Sequence, residues 1–280
     1  MTRARLVDVL QAAVEAGCGL GAFNVFSLEH AEAIVAGAEQ AGTPVVLQLS
    51  QNAVRYHGSL RPIALATLAL AETAAVPAVV HLDHATDVAL VHEALALGVG
   101  SVMFDGSALP YADNVAATAE VVAHGHAHGV DVEAELGEVG GKDGVHAPGA
   151  RTRPDEAVAF VAATGVDALA VAVGSSHAMT ERSARLDLEL IKEIRAVVGV
   201  PLVLHGSSGV DDHEILRAVA AGMTKINIAT HLNHVFTDEV RAVLADRPGL
   251  VDSRKYLGPA REAMAAEVAR LLRLLLTSHP

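Results

Sequence analysis

Three histidines, His84, His177 and His205, each close a short run rich in Val, Leu and Ala. Each by itself is the kind of residue most often kept for an ordinary hydrogen bond. Brought together from separate parts of the chain, three neutral imidazoles with a fourth position open make a catalytic zinc site. Carboxylates stand at comparable places: Asp83 beside His84, Asp105 at the end of another run, and Glu133 or Glu135 in a third. A carboxylate next to a cation stays ionised and can take and return a proton. The alternative role for Asp83 is to orient His84 as a ligand.

The elements that must position these groups follow one rhythm. A short Val/Ile/Leu-rich run ends in polar or Gly residues, and a longer Ala-rich segment of helical period follows. The predicted strands are Leu20–Phe26, Pro44–Ser50, Pro77–Asp83, Ser101–Asp105, Asp131–Leu136, Ala168–Gly174, Pro201–His205 and Lys225–Ile228. Helical segments lie between them, among them Leu28–Ala41, Val88–Leu97, Pro154–Thr164 and Asp211–Ala221. Eight such units are the number that closes a (β/α)8 TIM barrel, an α/β fold. An open doubly-wound sheet would want a Gly-rich turn after the first strand, and Asn24-Val25-Phe26-Ser27 is not one. With no linker or low-complexity tract, residues 1–280 read as a single barrel domain. An N-terminal helix precedes it and extra helices follow it.

In such barrels chemistry gathers at the C-terminal strand ends. Those ends supply Asn24, Ser50, Asp83-His84, Asp105, Glu133 or Glu135, Ser175-Ser176-His177, His205 to Gly209 and Asn227 to Thr230. The turns after the seventh and eighth strands are where barrels commonly bind phosphate through backbone N–H groups. His124, His126 and His128 form the densest histidine cluster. They end the helix before the fifth strand, on the opposite, stability face, which excludes them from the substrate rim. The Gly-rich stretch from Gly137 to Arg153 has the length of a lid or binding loop.

Composition bounds the class. Half of the residues are apolar (51%) but aromatics are scarce (3%), so Ala, Val and Leu must fill the core. A net charge of −13 argues against nucleic acid and anionic membranes as partners. Cys18 is the single cysteine, which excludes an internal disulfide and suits a reducing cytoplasm. Asp8 and Glu15 make the first seventeen residues an amphipathic helix rather than a signal peptide. Leu271–Leu276 is too short to span a bilayer and reads as a helix packed on the barrel or on a partner subunit. The expectation is a soluble, cytoplasmic protein.

At these residues the sequence resembles the class II (zinc-dependent) fructose-bisphosphate and tagatose-bisphosphate aldolase family over nearly its whole length. The matching stretches include Gly21-Ala22-Phe23-Asn24, His81-Leu82-Asp83-His84 and Ser101 to Asp105. Further matches are Glu133-Ala134-Glu135-Leu136-Gly137, Val173 to His177, Leu204 to Gly209, Lys225 to Thr230 and Arg254 to Leu257. The resemblance implies His84, His177 and His205 as zinc ligands, with Asp83 exchanging a proton at the hydroxyl of the cleaved bond. It implies Asp105 and Glu135 as auxiliary metal positions. Gly174 and Gly206, Ser207 and Ser208 would contact phosphate and a monovalent cation, Na+ or K+. Asn227, Ile228, Ala229 and Thr230 would hold the dihydroxyacetone phosphate half, and Asn24 and Ser50 match substrate contacts. Arg254 matches a residue that reaches the far phosphate from a neighbouring subunit, implying a homodimer or homotetramer.

Two departures stand out. The lid of the family carries a Gly-Gly pair followed by Glu-Asp, whereas here Gly140-Gly141 is followed by Lys142-Asp143, leaving Asp143 as the candidate for C–H proton transfer. Ser253 stands where Pro often precedes the Arg. Aldol cleavage needs an electron sink, either a metal or a lysine Schiff base. None of Lys142, Lys192, Lys225 and Lys255 falls at the C-terminal end of a strand, Lys225 being read as the start of one, so the metal route is expected. The rivals are an aldolase on another ketose phosphate, a non-catalytic sugar-phosphate-binding subunit and a zinc hydrolase. The last would want His-x-His after the first strand, where Asn24-Val25-Phe26 stands. Fructose and tagatose bisphosphates differ only at C4. The Ser175 to Met179 stretch leans toward the tagatose type.

Overall fold

Runs of Val, Leu, Ile and Ala with helical segments between them can hide both sheet faces only if the strands lie parallel and covered. The computed structural model, which describes residues 4–137, 151–176 and 182–277, shows that solution. Eight parallel strands close into a barrel in the order of the sequence. They are β1 (Leu20–Asn24), β2 (Val45–Ser50), β3 (Ala78–Ala85), β4 (Ser101–Phe104), β5 (Asp131–Leu136), β6 (Ala168–Val171), β7 (Leu202–Leu204) and β8 (Met223–Ile228). Around and after them, the described residues form α1 (Leu6–Ala16), α2 (Leu28–Ala41), α3 (Gln51–His57), α4 (Arg61–Thr73), α5 (Val88–Leu97) and α6 (Tyr111–Ala127). The set continues with α7 (Pro154–Thr164), α8 (Leu188–Val197), α9 (Asp212–Ala221), α10 (Thr230–Asp246) and α11 (Arg254–Leu276).

Four strands have a boundary two or more residues from the sequence expectation: β1 ends at Asn24 rather than Phe26, and β3, β6 and β8 also differ. β3 runs through His84 to Ala85 because a bulge, marked by a register shift against β4 between Leu82 and Ala85, lets the ladder continue. β6 ends at Val171, leaving Gly174 in the loop, and β8 begins two residues early, at Met223. Lys225 is therefore inside its strand and not at its start.

Side chains on a strand alternate between faces. The outward set packs under the helices in the main core, with Val132, Ala134 and Leu136 of β5 among them. The inward set begins with a separate apolar floor of Leu20, Ala22, Val46, Val79, Ala168, Ala170 and Val203. Helix α1 lies across that floor, adding Leu6, Val9, Leu10 and Ala13 to the same cluster. The backbone N–H of Val7 donates to Asp131 Oδ2 at 2.9 Å, and Arg5 pairs with the same carboxylate.

The apolar tail belongs to α11. Leu271, Leu272 and Leu275 are buried against this chain, and the N–H of Gly19 at the foot of β1 donates to Leu275 O at 2.9 Å. Gly37 of α2 allows the approach of α11: a methyl group there would meet Ala265 O at 2.6 Å. The tail faces its own barrel, so it offers no argument for a partner subunit. Among the described residues no helix is long and apolar enough to cross a membrane.

Candidate active site

Above the floor the inward-facing residues turn polar. On β5 every second residue is an acid, Asp131, Glu133 and Glu135, and all are buried. Asp131 meets α1 at the bottom. Glu133, one layer up, accepts from Lys225 Nζ at 2.8 Å and from His205 Nε2 at 3.0 Å. Glu135, at the top of the strand, lies 3.0 Å from His205 Nδ1. Neither Lys225 nor Glu133 reaches solvent.

This arrangement sets the charges. Burial alone would discharge His205, but its hydrogen bonds to Glu133 and Glu135 outweigh that cost and push its pKa up to about 9. Burial would likewise raise Glu133, and the opposing charge of Lys225 with the His205 bond brings it net well below the usual carboxylate range. His81, fully buried and next to Lys225, is driven down to about 3 and stays neutral. Its Nδ1 lies 2.7 Å from Ser101 Oγ.

Asp83 and His84 owe their placement to the bulge. Adjacent residues of a regular strand point to opposite faces. His84 instead has φ 49°, the one non-glycine residue with positive φ among the described residues. Such a conformation is sparsely populated and clusters at functional sites. Both side chains then reach the mouth. Asp83 is only 2% exposed, and Gln48 Nε2 (2.8 Å) and Asn24 Nδ2 (3.3 Å) donate to its two carboxylate oxygens. Burial opposes its ionisation, but His84, His205 and Lys225 prevail and hold its pKa below the usual value. His84 Nδ1 lies 3.0 Å from Asp105 Oδ2, and the His84 and His205 rings meet edge to face at 4.5 Å. Ser107 Oγ donates to Asp105 Oδ1 at 2.6 Å.

Two overlapping groups at this mouth could hold a metal ion: Asp83, His84 and His205, and His84, Asp105 and Glu135. The donor set of imidazole and carboxylate suits zinc and its neighbours. The structure thus brings together Asp83, His84, His205, Asp105 and Glu135 of the expected site. His177 and Asp143 lie outside the described residues.

The expected phosphate contacts fall on the same rim. Gly206 (φ 68°) sits where a side chain would collide with the Ser176 carbonyl at 2.6 Å, so the loops after β6 and β7 touch backbone to backbone. Gly174 lies in the loop after β6, beside Arg151 and the carbonyl of Arg185. Ser207 begins a short 3-10 turn ending at Gly209. Ser208 Oγ accepts from the N–H groups of Ala229 (3.2 Å) and His231 (3.3 Å), capping the start of α10 at Thr230. Ile228 closes β8. Asn227 Oδ1 and Ser175 Oγ are buried yet have no hydrogen-bond partner among the described residues, the condition expected of groups that await a ligand. Ser50 is buried opposite Asp83 in the β2–β3 ladder, but its hydroxyl caps α3 by accepting from Ala53 N at 3.1 Å. Arg254 is apart from the cluster: it begins α11, exposed, with its guanidinium on Asp252 at 2.9 and 3.0 Å.

Sequence reasoning missed Gln48, Lys225 and the inward role of Glu133. The signal was present, since Gln48 shares the strand phase of Ser50 and Lys225 that of Asn227. His124, His126 and His128 end α6 as expected, with His126 on Asp167 at 2.9 Å.

A parallel barrel whose mouth gathers imidazoles and carboxylates able to hold a metal has the arrangement expected of a metal-assisted enzyme. Comparison with known proteins narrows the class. Residues 4–279 match the family described as fructose-bisphosphate aldolase class-II. A fructose-bisphosphate aldolase of Geobacillus stearothermophilus is 38% identical over 277 residues, covering 98% of this chain and 96% of that protein. A probable fructose-bisphosphate aldolase of Bacillus subtilis (strain 168) is 40% identical over 272 residues, covering 96% and 95%. Among solved structures, a putative fructose-1,6-biphosphate aldolase from Coccidioides immitis superposes with a TM-score of 0.85 at 30% identity, covering 98% and 97%. The YdjI aldolase from Escherichia coli K12 does so with 0.83 at 29%, with the same coverage. The chain belongs to the class II fructose-bisphosphate aldolase family, and it is a lyase.

Proposed function

We propose that residues 1–280 act as one (β/α)8 unit that cleaves fructose- or tagatose-1,6-bisphosphate reversibly to dihydroxyacetone phosphate and glyceraldehyde 3-phosphate, with zinc as cofactor. The observation that carries the reading is the convergence of Asp83, His84 and His205 at one mouth, with Asp105 and Glu135 beside them. His84 and His205, with His177, would hold the ion. Asp105 and Glu135 would offer it a second position. Zinc bound there would polarise the ketone and stabilise the negative charge that develops on its oxygen.

The residues of the chain then divide the work. Asp83, ionised and oriented by Gln48 and Asn24, takes the C4 hydroxyl proton. The O–H electrons become the aldehyde C=O, the C3–C4 bond breaks, and its electron pair moves toward the ketone oxygen. A proton returned to C3, for which Asp143 is the candidate, completes dihydroxyacetone phosphate. Gly174, Gly206, Ser207, Ser208 and Asn227 to Thr230 cradle its phosphate, assisted by Na+ or K+. Arg254 serves the other phosphate from a neighbouring copy, which makes the working form a homodimer or homotetramer. The alternative electron sink is disfavoured by Lys225, the lysine inside the barrel among the described residues, because Glu133 holds its Nζ below the mouth. The lone Cys18 and the absence of a membrane-spanning helix among the described residues suit the cytoplasm.

The test is a retro-aldol assay on both bisphosphates, with and without zinc, following dihydroxyacetone phosphate release. Chelation should abolish release and zinc restore it. Activity that survives chelation and is trapped by borohydride would replace the metal with an imine.

A further inference from the structure

The histidines set aside as remote from the rim gain a neighbour in the fold. His92, exposed on α5, stacks its ring on His124 of α6 with centroids 4.1 Å apart and planes at 40°. On the other side of His124 lies His128, at 4.6 Å and 46°. His124 and His128 are one helical turn apart, the spacing that sets two side chains over one another on a helix face. Glu120 lies one turn further back.

The hydrogen bonding of His128 has a chemical consequence. Its Nδ1 lies 2.8 Å from the carbonyl oxygen of His124, which can only accept. Nδ1 therefore carries the hydrogen, and in the neutral ring Nε2 is left with a free lone pair. A ring nitrogen tied to a backbone carbonyl while the other points outward is the arrangement of metal-bound histidines. His124 is also biased toward its neutral, ligating form, by burial first and then by His92 and His128.

From this juxtaposition we propose that His92, His124 and His128 form a second divalent transition-metal site, for a cation of the zinc, nickel or copper class. It is separate from the barrel mouth and joins α5 to α6 on the outer wall. Imidazole is the ligand these cations prefer, and Glu120 supplies charge and a further oxygen from the same helix face. Among the described residues, the groups whose ligand atoms already converge within 4.8 Å are the two at the barrel mouth. The outer rings are stacked instead, and ligation requires the exposed His92 ring to reorient about its side-chain bonds toward His124 and His128, while His128 keeps its Nδ1 hydrogen bond. Exposed side chains make such turns on the picosecond to nanosecond scale.

The experiment counts zinc per chain by equilibrium dialysis of the full-length protein and of a His92→Ala/His124→Ala variant, with aldol cleavage measured in parallel. The expected result is one ion fewer per chain in the variant and unchanged cleavage. A fall from two ions to one supports both metal sites. A fall from one to none supports the outer site while removing zinc from the barrel mouth, so the two readings fail separately. Equal zinc in both proteins overturns the proposal. His128→Gln, at an exposed position beyond the end of α6, repeats the test without altering the helix interior and should give the same loss.

Discussion

Asp83 Oδ1 and His84 Nε2 lie 4.0 Å apart at the same mouth although the two residues are consecutive in a strand. A regular strand would send one of them outward into the helical layer. The positive φ of His84 and the register shift beside it turn an alternating pair into a converging one. A base and a candidate ligand thus occupy one corner through a single irregularity in β3.

Replacing Asp83 by Ala should lower turnover by about 10²–10⁴-fold, the usual weight of a positioned proton acceptor. Zinc content should stay near wild type. Turnover and metal measured on the same preparation decide the matter, since parallel loss of zinc would make Asp83 an orienter of His84.

Lys225 and Glu133 form a fully buried ion pair. Lys225→Met leaves the carboxylate without its cation and should cost about 3–5 kcal/mol in guanidinium unfolding. Adding Glu133→Gln should recover part of that loss. Glu133→Gln by itself should weaken zinc binding by about 10–100-fold, as expected when a partner of a metal-bound histidine is altered. Unchanged zinc affinity would make the pair a purely structural one.

In metal-free protein the His205 pKa is raised from 6.5 to about 9. A raised folded pKa means that the folded state holds the proton more tightly, so its stabilising contribution is complete below pH 6.5. That contribution should fade as the pH climbs to about 9. Unfolding free energies in chelator across this window should decline in the wild type and be flatter in His205→Ala. Parallel curves would show that the proton on His205 contributes nothing to the decline.

Gly206→Ala places a methyl against the Ser176 backbone at a φ of 68°. The strained turn should lower stability by about 1–2 kcal/mol and raise KM for the bisphosphate more than it lowers kcat. A variant with wild-type KM would reduce the turn to a connector.

The strand–helix rhythm made the barrel legible, because apolar runs of strand length alternating with Ala-rich helical segments leave few other ways to bury both faces. α2, α5 and α7 have the bounds that periodicity gives, and Asp211 caps α9 one residue ahead of its start. Strand ends were less legible. Whether β3 stops at Asp83 or bulges through His84 depends on pairing with β4, which is a long-range fact. The acids of β5 show the same limit: alternation reveals that Glu133 and Glu135 share a face, but only closure of the barrel decides that this face is the interior. Lys225 was misjudged for a related reason, since its partner lies 92 positions away in the chain.

The apolar floor closed by α1 makes the pit blind-ended. Leu6 and Leu10 stopper it from below, and Asp131 clips the stopper in place through Arg5 and the Val7 amide. Among the described residues the floor leaves the rim as the approach to the buried polar layer, so reactant and leaving fragment would pass on the same side.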